Sequence, residues 1–389
     1  MKMKVVAIKS IADVSSGNTP SRRKSEYWNG SIPWITTGEL ESGYVTASKE
    51  CVTEKALKET ALKLYHKGTV LIAMYGQGKT RGTAAVLGIE ATVNQACAAL
   101  TVHSGCSKFL FYQLQNSYHA IRRLSNTGNQ ENLNAEIIKN FKILWPDELE
   151  QQKIATILST QDKVIELKEK LLAQKQQQKK YLMQQLLTGK KRLPGFCEKW
   201  TRKQLGELFE NRVEINRSDL GLLAITSTRG ILPRDCLDLK DNSSEDKSKY
   251  LRICPDDIGY NTMRMWQGVS AYSEYEGIVS PAYTILAPMK GVYSHYFAYL
   301  FKTQSVIFSF YRFSQELVDD TRNLKYENFK KISVSIPSNV AEQRAIVQIL
   351  STADHEIDLL QKSIEAEKQK KKALMQLLLT GKVRVKCNG

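Results

Sequence analysis

Residues 150–192 read EQQKIATILSTQDKVIELKEKLLAQKQQQKKYLMQQLLTGKKR, and residues 342–384 read EQRAIVQILSTADHEIDLLQKSIEAEKQKKKALMQLLLTGKVR. The second stretch follows the first at a constant offset of 192 residues, without a gap. Matched pairs begin at Glu150/Glu342 and Gln151/Gln343 and pass through Ile154/Ile346, Leu158/Leu350 and Asp162/Asp354. They end in Leu187/Leu379, Thr188/Thr380, Gly189/Gly381 and Lys190/Lys382. Periodicity makes unrelated helices alike in pattern but not in a run such as QQLLTGK against QLLLTGK. The chain is an internal duplication.

Each copy predicts a long helix. Apolar pairs recur every seven residues at Ile157-Leu158, Val164-Ile165 and Leu171-Leu172, then Leu182 and Leu186, and the second copy keeps the matching stripe. That repeat lets two helices pack along their lengths at a shallow angle. Gly189 and Gly381 are placed to take the left-handed conformation that ends a helix, with Lys190 and Lys382 at the negative end of the dipole. A rod from Ile154 to Thr188 spans 35 residues, roughly 52 Å at about 1.5 Å per residue. Such stripes also suit a homodimeric coiled coil, but two similar helices in one chain have a partner at hand, antiparallel to each other.

What surrounds the copies is of ordinary domain size. Segments 1–149 and 193–341 are equal in length and rich in short strand signals. Strands are expected at 31–36 and 69–74 in the first segment, and at 222–226, 277–286 and 332–336 in the second. Helical stretches are expected at 108–123 and 293–310. Asn132-Leu133 with Glu136 and Pro146 matches Asn323-Leu324 with Glu327 and Pro337, each leading into Glu-Gln and a long helix. The expected fold is α+β: two α/β domains separated by two long antiparallel helices in an intramolecular coiled coil, pseudo-twofold through the duplication. The expected boundaries are 1–149, 150–192, 193–341 and 342–384, with a tail at 385–389.

The chain of 389 residues carries a net charge of +16, of which residues 150–192 hold +6 and 342–384 hold +2. A basic balance without a membrane-length apolar run or a secretory leader points to a cytoplasmic protein that meets nucleic acid. The Lys/Gln run at 174–180 reads equally well as a solvated helix face. Seven cysteines without a CxxC pair read as reduced thiols, and Cys97, His103 and Cys106 lack a fourth ligand for zinc.

No catalytic constellation stands out. Ala73–Met–Tyr–Gly–Gln–Gly–Lys–Thr80 fits a relaxed phosphate-loop pattern after a credible strand, so a nucleotide-binding enzyme with a coiled-coil arm is the rival reading. A phosphate loop must open a helix, whereas the residues that follow read as turn and strand. What both halves hold is loops mixing glycine, base-edge donors and cations. In the first half these contribute Asn18, Thr19, Ser21, Arg22 and Arg23, then Thr36 and Thr37, then Tyr75, Gln77, Lys79, Thr80 and Arg81. In the second they contribute Thr226, Ser227, Thr228 and Arg229, then Asn261, Thr262, Arg264, Trp266 and Gln267, then Arg322. Arginine and lysine suit guanine edges, asparagine and glutamine suit adenine, and hydroxyls meet bases or phosphates. They are candidate DNA contacts, although each loop alone also reads as ordinary surface.

The chain resembles the specificity subunits of type I restriction-modification systems over nearly its whole length. The resemblance rests on two variable domains, each followed by a helix of the EQ…ILST…LLTGK kind. Segments 17–40, 91–100, 259–269 and 277–286 carry further family-like phrases. It implies that the two domains are target-recognition domains, each reading half of a bipartite site in double-stranded DNA, with the helices setting the separation. It implies two methyltransferase subunits and, through the complex, restriction subunits as partners, with no catalysis, cofactor or metal in this chain. Leu182, Leu186, Leu187, Leu374, Leu378 and Leu379 spread around the last helical turns, and part of that apolar surface is expected to dock the methyltransferase.

Overall fold

The computed structural model describes residues 4–76, 78–125, 132–226, 230–236, 246–315 and 322–385. The chain forms two compact units, Met1–Glu169 with Lys362–Gly389, and Lys170–Gln361. The two long helices, Glu148–Leu186 and Val340–Leu379, are therefore shared: each gives one half to each unit.

In the first unit a five-stranded sheet runs in the order Ala12–Ser16, Cys97–Val102, Val70–Ala73, Ala84–Leu87, Tyr44–Val45. Its pairs are antiparallel except the last, which is parallel. Val70, Ile72, Ala98 and Leu100 share a core with Phe109 and Leu110 of helix Ser107–Asn116, Ile154 and Leu158 of the first long helix, and Leu378 and Leu379 of the second. The alternate residues Leu71, Ala73, Ala85 and Ala99 pack against Ile35, Leu40 and Val93. Successive side chains of a strand point to opposite faces, so burial of both faces explains the unbroken apolar run Val70–Ala73.

The second unit holds a four-stranded antiparallel sheet in the order Phe209–Asn211, Tyr283–Pro288, Ile258–Asn261, Ser270–Tyr272. Ile258, Tyr260 and Leu286 meet an aromatic core of Phe297, Phe301, Phe310 and Phe329, together with Leu186, Leu187, Ile346 and Leu350 of the long helices. The other face carries Ile285 and Ala271 against Leu223, Ile225 and Ile253. The single strand expected at 277–286 is two. A turn in which the Tyr283 N–H donates to the Ser280 carbonyl separates Gly277–Val279 from Tyr283–Pro288, and the first piece pairs instead with Leu251–Ile253. Among the described residues no helix is long and apolar enough to cross a membrane.

The long helices end as their sequence implies. Gly189 and Gly381 take φ of +70° and +72°, and the N–H of Lys191 and of Val383 reach back to the carbonyls of Gln185 and Leu377, both at 3.1 Å. Within each unit the two helix halves run antiparallel. In the first, Gln161 Nε2 donates to Glu367 Oε2 (2.7 Å), Lys168 pairs with Glu367 (2.8 Å), and Glu169 with Lys368 (2.7 Å). In the second, Lys175 pairs with Glu356 at 2.7 Å and Lys179 with Asp354. This polar stitching departs from the expected apolar seam: Ile157 and Leu171 are exposed, while Ile154, Leu158 and Ile165 are buried.

Two contacts occur in both units at duplicated positions. At the start of each long helix a carboxylate only 1% exposed meets a guanidinium from beyond the end of the other helix. Arg384 Nε and Nη2 donate to the Glu150 carboxylate at 2.8 and 2.5 Å, and Arg192 Nε and Nη2 donate to that of Glu342 at 2.7 and 2.8 Å. Further along, the Tyr112 hydroxyl donates to Asp162 (2.7 Å), which also binds Lys371 (2.6 Å). The Tyr299 hydroxyl donates likewise to Asp354 (2.7 Å), which binds Lys179. Burial and then the aspartate hydrogen bond raise both tyrosine pKa values.

Four of the six leucines expected to serve a partner are buried inside the chain. Leu186 and Leu187 lie in the core of the second unit and Leu378 and Leu379 in that of the first, with Leu182 and Leu374 packed beside them. The physical reason is amphipathic: the last two turns of each helix lie on a globular domain whose aromatic and aliphatic side chains cover that surface.

Two predictions follow from these junctions. Arg384→Ala leaves Glu150 buried and unpaired, and should lower unfolding stability by about 2–3 kcal/mol, less than for a fully buried pair because Arg384 is partly exposed; urea titration measures it. The hydrogen bond from Arg384 first lowers the pKa of Glu150, and Lys168 and then Gln161 push that of Glu367 down to about 2. Both folded values lie below the ordinary glutamate value of 4.5. Their stabilisation is therefore present above that value and is lost as pH falls through it towards the folded values. Glu367→Gln should flatten the loss of urea midpoint as pH falls from about 5 towards 2, a window set by the ordinary value of 4.5 and the folded value of about 2.

Candidate nucleic-acid interface

The two sheets place one loop in the same position in each unit. In the first, strand Val70–Ala73 turns at 74–83 into strand Ala84–Leu87; in the second, Ile258–Asn261 turns at 262–269 into Ser270–Tyr272. In both sheets the leading strand pairs on its other side with the strand that precedes the domain helices, Cys97–Val102 and Tyr283–Pro288. In both, the loop start is pinned by the Asn-Leu motif. The Leu133 N–H donates to the Met74 carbonyl at 3.0 Å, and the Leu324 N–H to the Thr262 carbonyl at 2.9 Å. The loops chosen by composition alone are thus topological equivalents.

Each loop is held from behind by a helix. In the first unit the Tyr118 hydroxyl donates to the Lys79 carbonyl (2.7 Å) and Arg122 Nη1 to the Arg81 carbonyl (2.7 Å), both from helix Tyr118–Arg123. Gly82, at φ +84°, lies so close to this helix that a Cβ would stand 3.1 Å from Arg122 Cγ. Tyr75 and Lys79 are exposed on the loop, while Arg81 is buried. Arg81 is therefore corrected from a base contact to a framework residue whose carbonyl is a tether point. In the second unit the Met263 N–H donates to Asn261 Oδ1 (3.0 Å) and Trp266 Nε1 to the Met263 carbonyl (3.0 Å), while Met265 is fully buried. Arg264 and Gln267 are exposed. Among the described residues the Arg264 guanidinium has no hydrogen-bond or ion-pair partner. Trp266 meets Tyr311 of helix Gln304–Phe313, and the Arg322 guanidinium lies 3.7 Å over the same Tyr311 ring.

Several of the remaining candidates are tied into their own domain. Arg22 grips the Glu50 carboxylate with both Nη atoms (2.5 and 2.8 Å) and stacks 3.7 Å over Trp28. Side-chain bonding to Glu50 raises its pKa, and lowers that of Glu50. Asn18 accepts from Trp34 Nε1 through its carbonyl (3.0 Å), and its Oδ1 accepts from the Thr19 N–H (2.9 Å). Thr36 donates its N–H and hydroxyl to Glu39 at 2.7 and 2.8 Å, so it shapes the turn Thr37–Ser42. Thr226 Oγ1 donates to the Gly230 carbonyl (2.8 Å), closing a hairpin, and Thr262 Oγ1 to that of Ala282 (3.1 Å). Thr19, Ser21 and Arg23 are exposed, and Thr37 and Thr80 half-buried. Gln77, Ser227, Thr228 and Arg229 lie outside the described residues.

The phosphate-loop reading does not survive. Segment 74–83 is a strand-to-strand connection, closed by the Ala73 N–H on the Thr83 carbonyl (2.9 Å) and the Gly82 N–H on the Ala73 carbonyl (2.8 Å). The loop opens into strand Ala84–Leu87 and not into a helix, so it lacks the helix that a phosphate loop must begin. Residues that the sequence reading missed are those behind the loops: Tyr118, Arg122 and Tyr311. The usable signal was their place in the helical stretches before each Asn-Leu motif.

The family described as the type I restriction modification DNA specificity domain matches residues 1–177 and 258–368. The MjaIX type I restriction enzyme specificity subunit of Methanocaldococcus jannaschii is 35% identical over 172 residues, 43% of this chain and 39% of that protein. The EcoR124I/EcoR124II specificity subunit of Escherichia coli is 29% identical over 151 residues, 38% of this chain and 37% of that protein. The chain thus spans about two fifths of the length of each of these relatives. In fold, it is similar to the crystal structure of the type I restriction-modification S subunit from M. genitalium, with a TM-score of 0.60 at 17% identity, covering 97% of this chain and 96% of the other. With the family matched over most of its length, on both halves of the duplication, the chain belongs to the type I restriction-modification DNA specificity family.

Proposed function

We propose that this chain is a non-catalytic DNA-reading subunit in which each globular domain reads one half of a bipartite site in double-stranded DNA. Residues 1–149 and 193–341 are the two recognition domains in this reading, and the helices at 150–192 and 342–384 set the unread spacer. The chain also scaffolds two methyltransferase subunits and, through the complex, restriction subunits, in the cytoplasm. The observation that carries the proposal is the pair of equivalent loops, pinned alike and different in tip chemistry: Tyr75 and Lys79 in one, Arg264, Trp266 and Gln267 in the other. A rigid loop with exposed cationic and amide side chains suits the donor and acceptor pattern of a groove. The duplicated frame with unlike tips suits two unlike half-sites. With the terminal leucines buried, the partner surface falls on the outward helix faces, where Leu167 and Leu359 are exposed at duplicated positions. Methylation mapping of DNA from cells that hold this chain with a methyltransferase subunit tests the whole reading, because it reports partnership and site together. Methylation without a two-part motif would overturn it.

Arg264→Ala should relax recognition in the half-site of the second domain alone, by about 1–3 kcal/mol for a base contact. If the guanidinium meets a phosphate instead, affinity falls for every sequence and the dependence on salt becomes shallower. Sequence selection from a random duplex pool, repeated at two salt concentrations, distinguishes these outcomes.

The spacer is tested by lengthening both helices. Insertions after Glu169 and after Gln361 keep the pairs Lys168–Glu367 and Glu169–Lys368 on one side, and Lys175–Glu356 on the other, in register. About four residues per helix, one turn, adds roughly 6 Å. At about 3.4 Å per base pair along the duplex, the spacer should grow by at most about two base pairs while both half-site sequences survive. An active variant with an unchanged spacer would show that the helices are not the ruler.

A further inference from the structure

Lys302 connects helix Ser294–Leu300 to helix Gln304–Phe313 in the second unit. Its Nζ donates to the carbonyls of Gly268 and Ser270, both at 2.6 Å, where the 262–269 loop re-enters the sheet. Gly268 sits at φ +77°, and a Cβ there would stand 2.9 Å from Ile307 Cδ1. Its N–H donates to the Met265 carbonyl at 2.7 Å, and the Asn261 and Val269 N–H groups bridge the loop to Val269 and Arg264 at 3.2 and 3.3 Å. The ammonium therefore fastens the base of a loop whose tip presents Arg264, Trp266 and Gln267.

The position is a costly one for a cation. Burial, and then repulsion from Lys179 of the first long helix, lower the Lys302 pKa to about 8. Lys179 is itself bound to Asp354 of the second long helix, which also accepts from Tyr299 on the same domain helix that leads to Lys302. Among the described residues no carboxylate pairs with Lys302. A buried cation without a counter-charge is a poor source of stability, whereas ammonium-to-carbonyl bonds are strong and directional. The lysine is better explained by what it holds than by what it adds to folding.

We infer that Lys302 is a positioning residue for recognition by the second domain, holding the Gly268 and Ser270 carbonyls so that the loop tip meets DNA in one fixed geometry. This rests on the proposal that the loop reads bases. The first domain anchors its loop differently, through Tyr118 and Arg122: three residues beyond its clamp tyrosine, Tyr112, stands Gln115, where Lys302 stands three beyond Tyr299. The effect should therefore be confined to one half-site.

The test uses the full chain and a random pool of duplex DNA. Lys302→Met keeps the apolar stem and removes the donors and the buried charge. It should fold and melt close to the parent, yet lose about tenfold or more of the base preference in one half-site, the scale on which a base contact discriminates. The other half-site should be unchanged, and Lys302→Arg, which keeps cationic donors, should restore most of the preference. Because the folded pKa is below the ordinary lysine value, the parent's stability should rise between about pH 8 and pH 10, and Lys302→Met should lose that rise. If Lys302→Met does not fold, Lys302→Gln is read in its place. Unchanged preference in these variants, with Arg264→Ala still relaxing that half-site, overturns the positioning role and leaves the reading of the loop intact. If Arg264→Ala also changes nothing, the reading of the loop fails and the inference fails with it.

Discussion

Everything in this molecule depends on a carboxylate at the start of one long helix finding a guanidinium from beyond the end of the other. Glu150 comes from the first copy of the duplicated stretch and Arg384 from the second; Glu342 comes from the second and Arg192 from the first. Each unit is thus completed by residues separated by 234 or 150 positions in sequence. A buried ion pair adds little stability over a well-packed apolar contact, but a mispaired one strands a charge out of water. The pair therefore selects which helix end meets which helix start. The Tyr112–Asp162–Lys371 and Tyr299–Asp354–Lys179 contacts extend the same logic to the domain helices, joining one domain and both long helices at a single carboxylate.

On that frame the variable chemistry is confined to places where it cannot disturb the core. The 74–83 and 262–269 loops leave the same strand position and are pinned by the same leucine, at Met74 and Thr262. Their anchors differ: Tyr118 and Arg122 reach backbone carbonyls in one, Lys302 in the other. Backbone anchoring frees the tip side chains to change without loss of the hydrogen bonds that fix the loop. This is the separation a recognition module needs, since a loop that must order itself on binding loses affinity to conformational entropy.

The long helices also divide their labour along their length. Their ends are apolar on the inward side and carry the two domain cores, through Ile154, Leu158, Leu378 and Leu379 in one unit and Leu186, Leu187, Ile346 and Leu350 in the other. Their middles are polar and are joined by Lys168–Glu367, Glu169–Lys368 and Lys175–Glu356. Partly exposed pairs of this kind add little stability each, but they favour one register, because a one-turn slip would separate the partners.

The sequence by itself determined the duplication, the two long helices and their glycine ends, and a pair of α/β domains, because these are written in local pattern and in identity at a fixed offset. It also singled out the Asn261–Gln267 and Tyr75–Arg81 segments, because glycine, amide and cationic residues cluster there. It did not distinguish an apolar residue that zips helices from one that seats a domain: Leu186 and Leu378 have the same periodicity either way, and only the packed domain shows that they are covered. Nor did it tell a presented arginine from a committed one. Arg22 and Arg264 are both exposed, yet Glu50 and Trp28 engage the first while the second has no side-chain partner among the described residues. Tertiary structure decided these matters because the deciding partners, Glu50 for Arg22, Arg384 for Glu150 and Gly268 for Lys302, lie 28 to 234 residues away and leave no local trace in the chain.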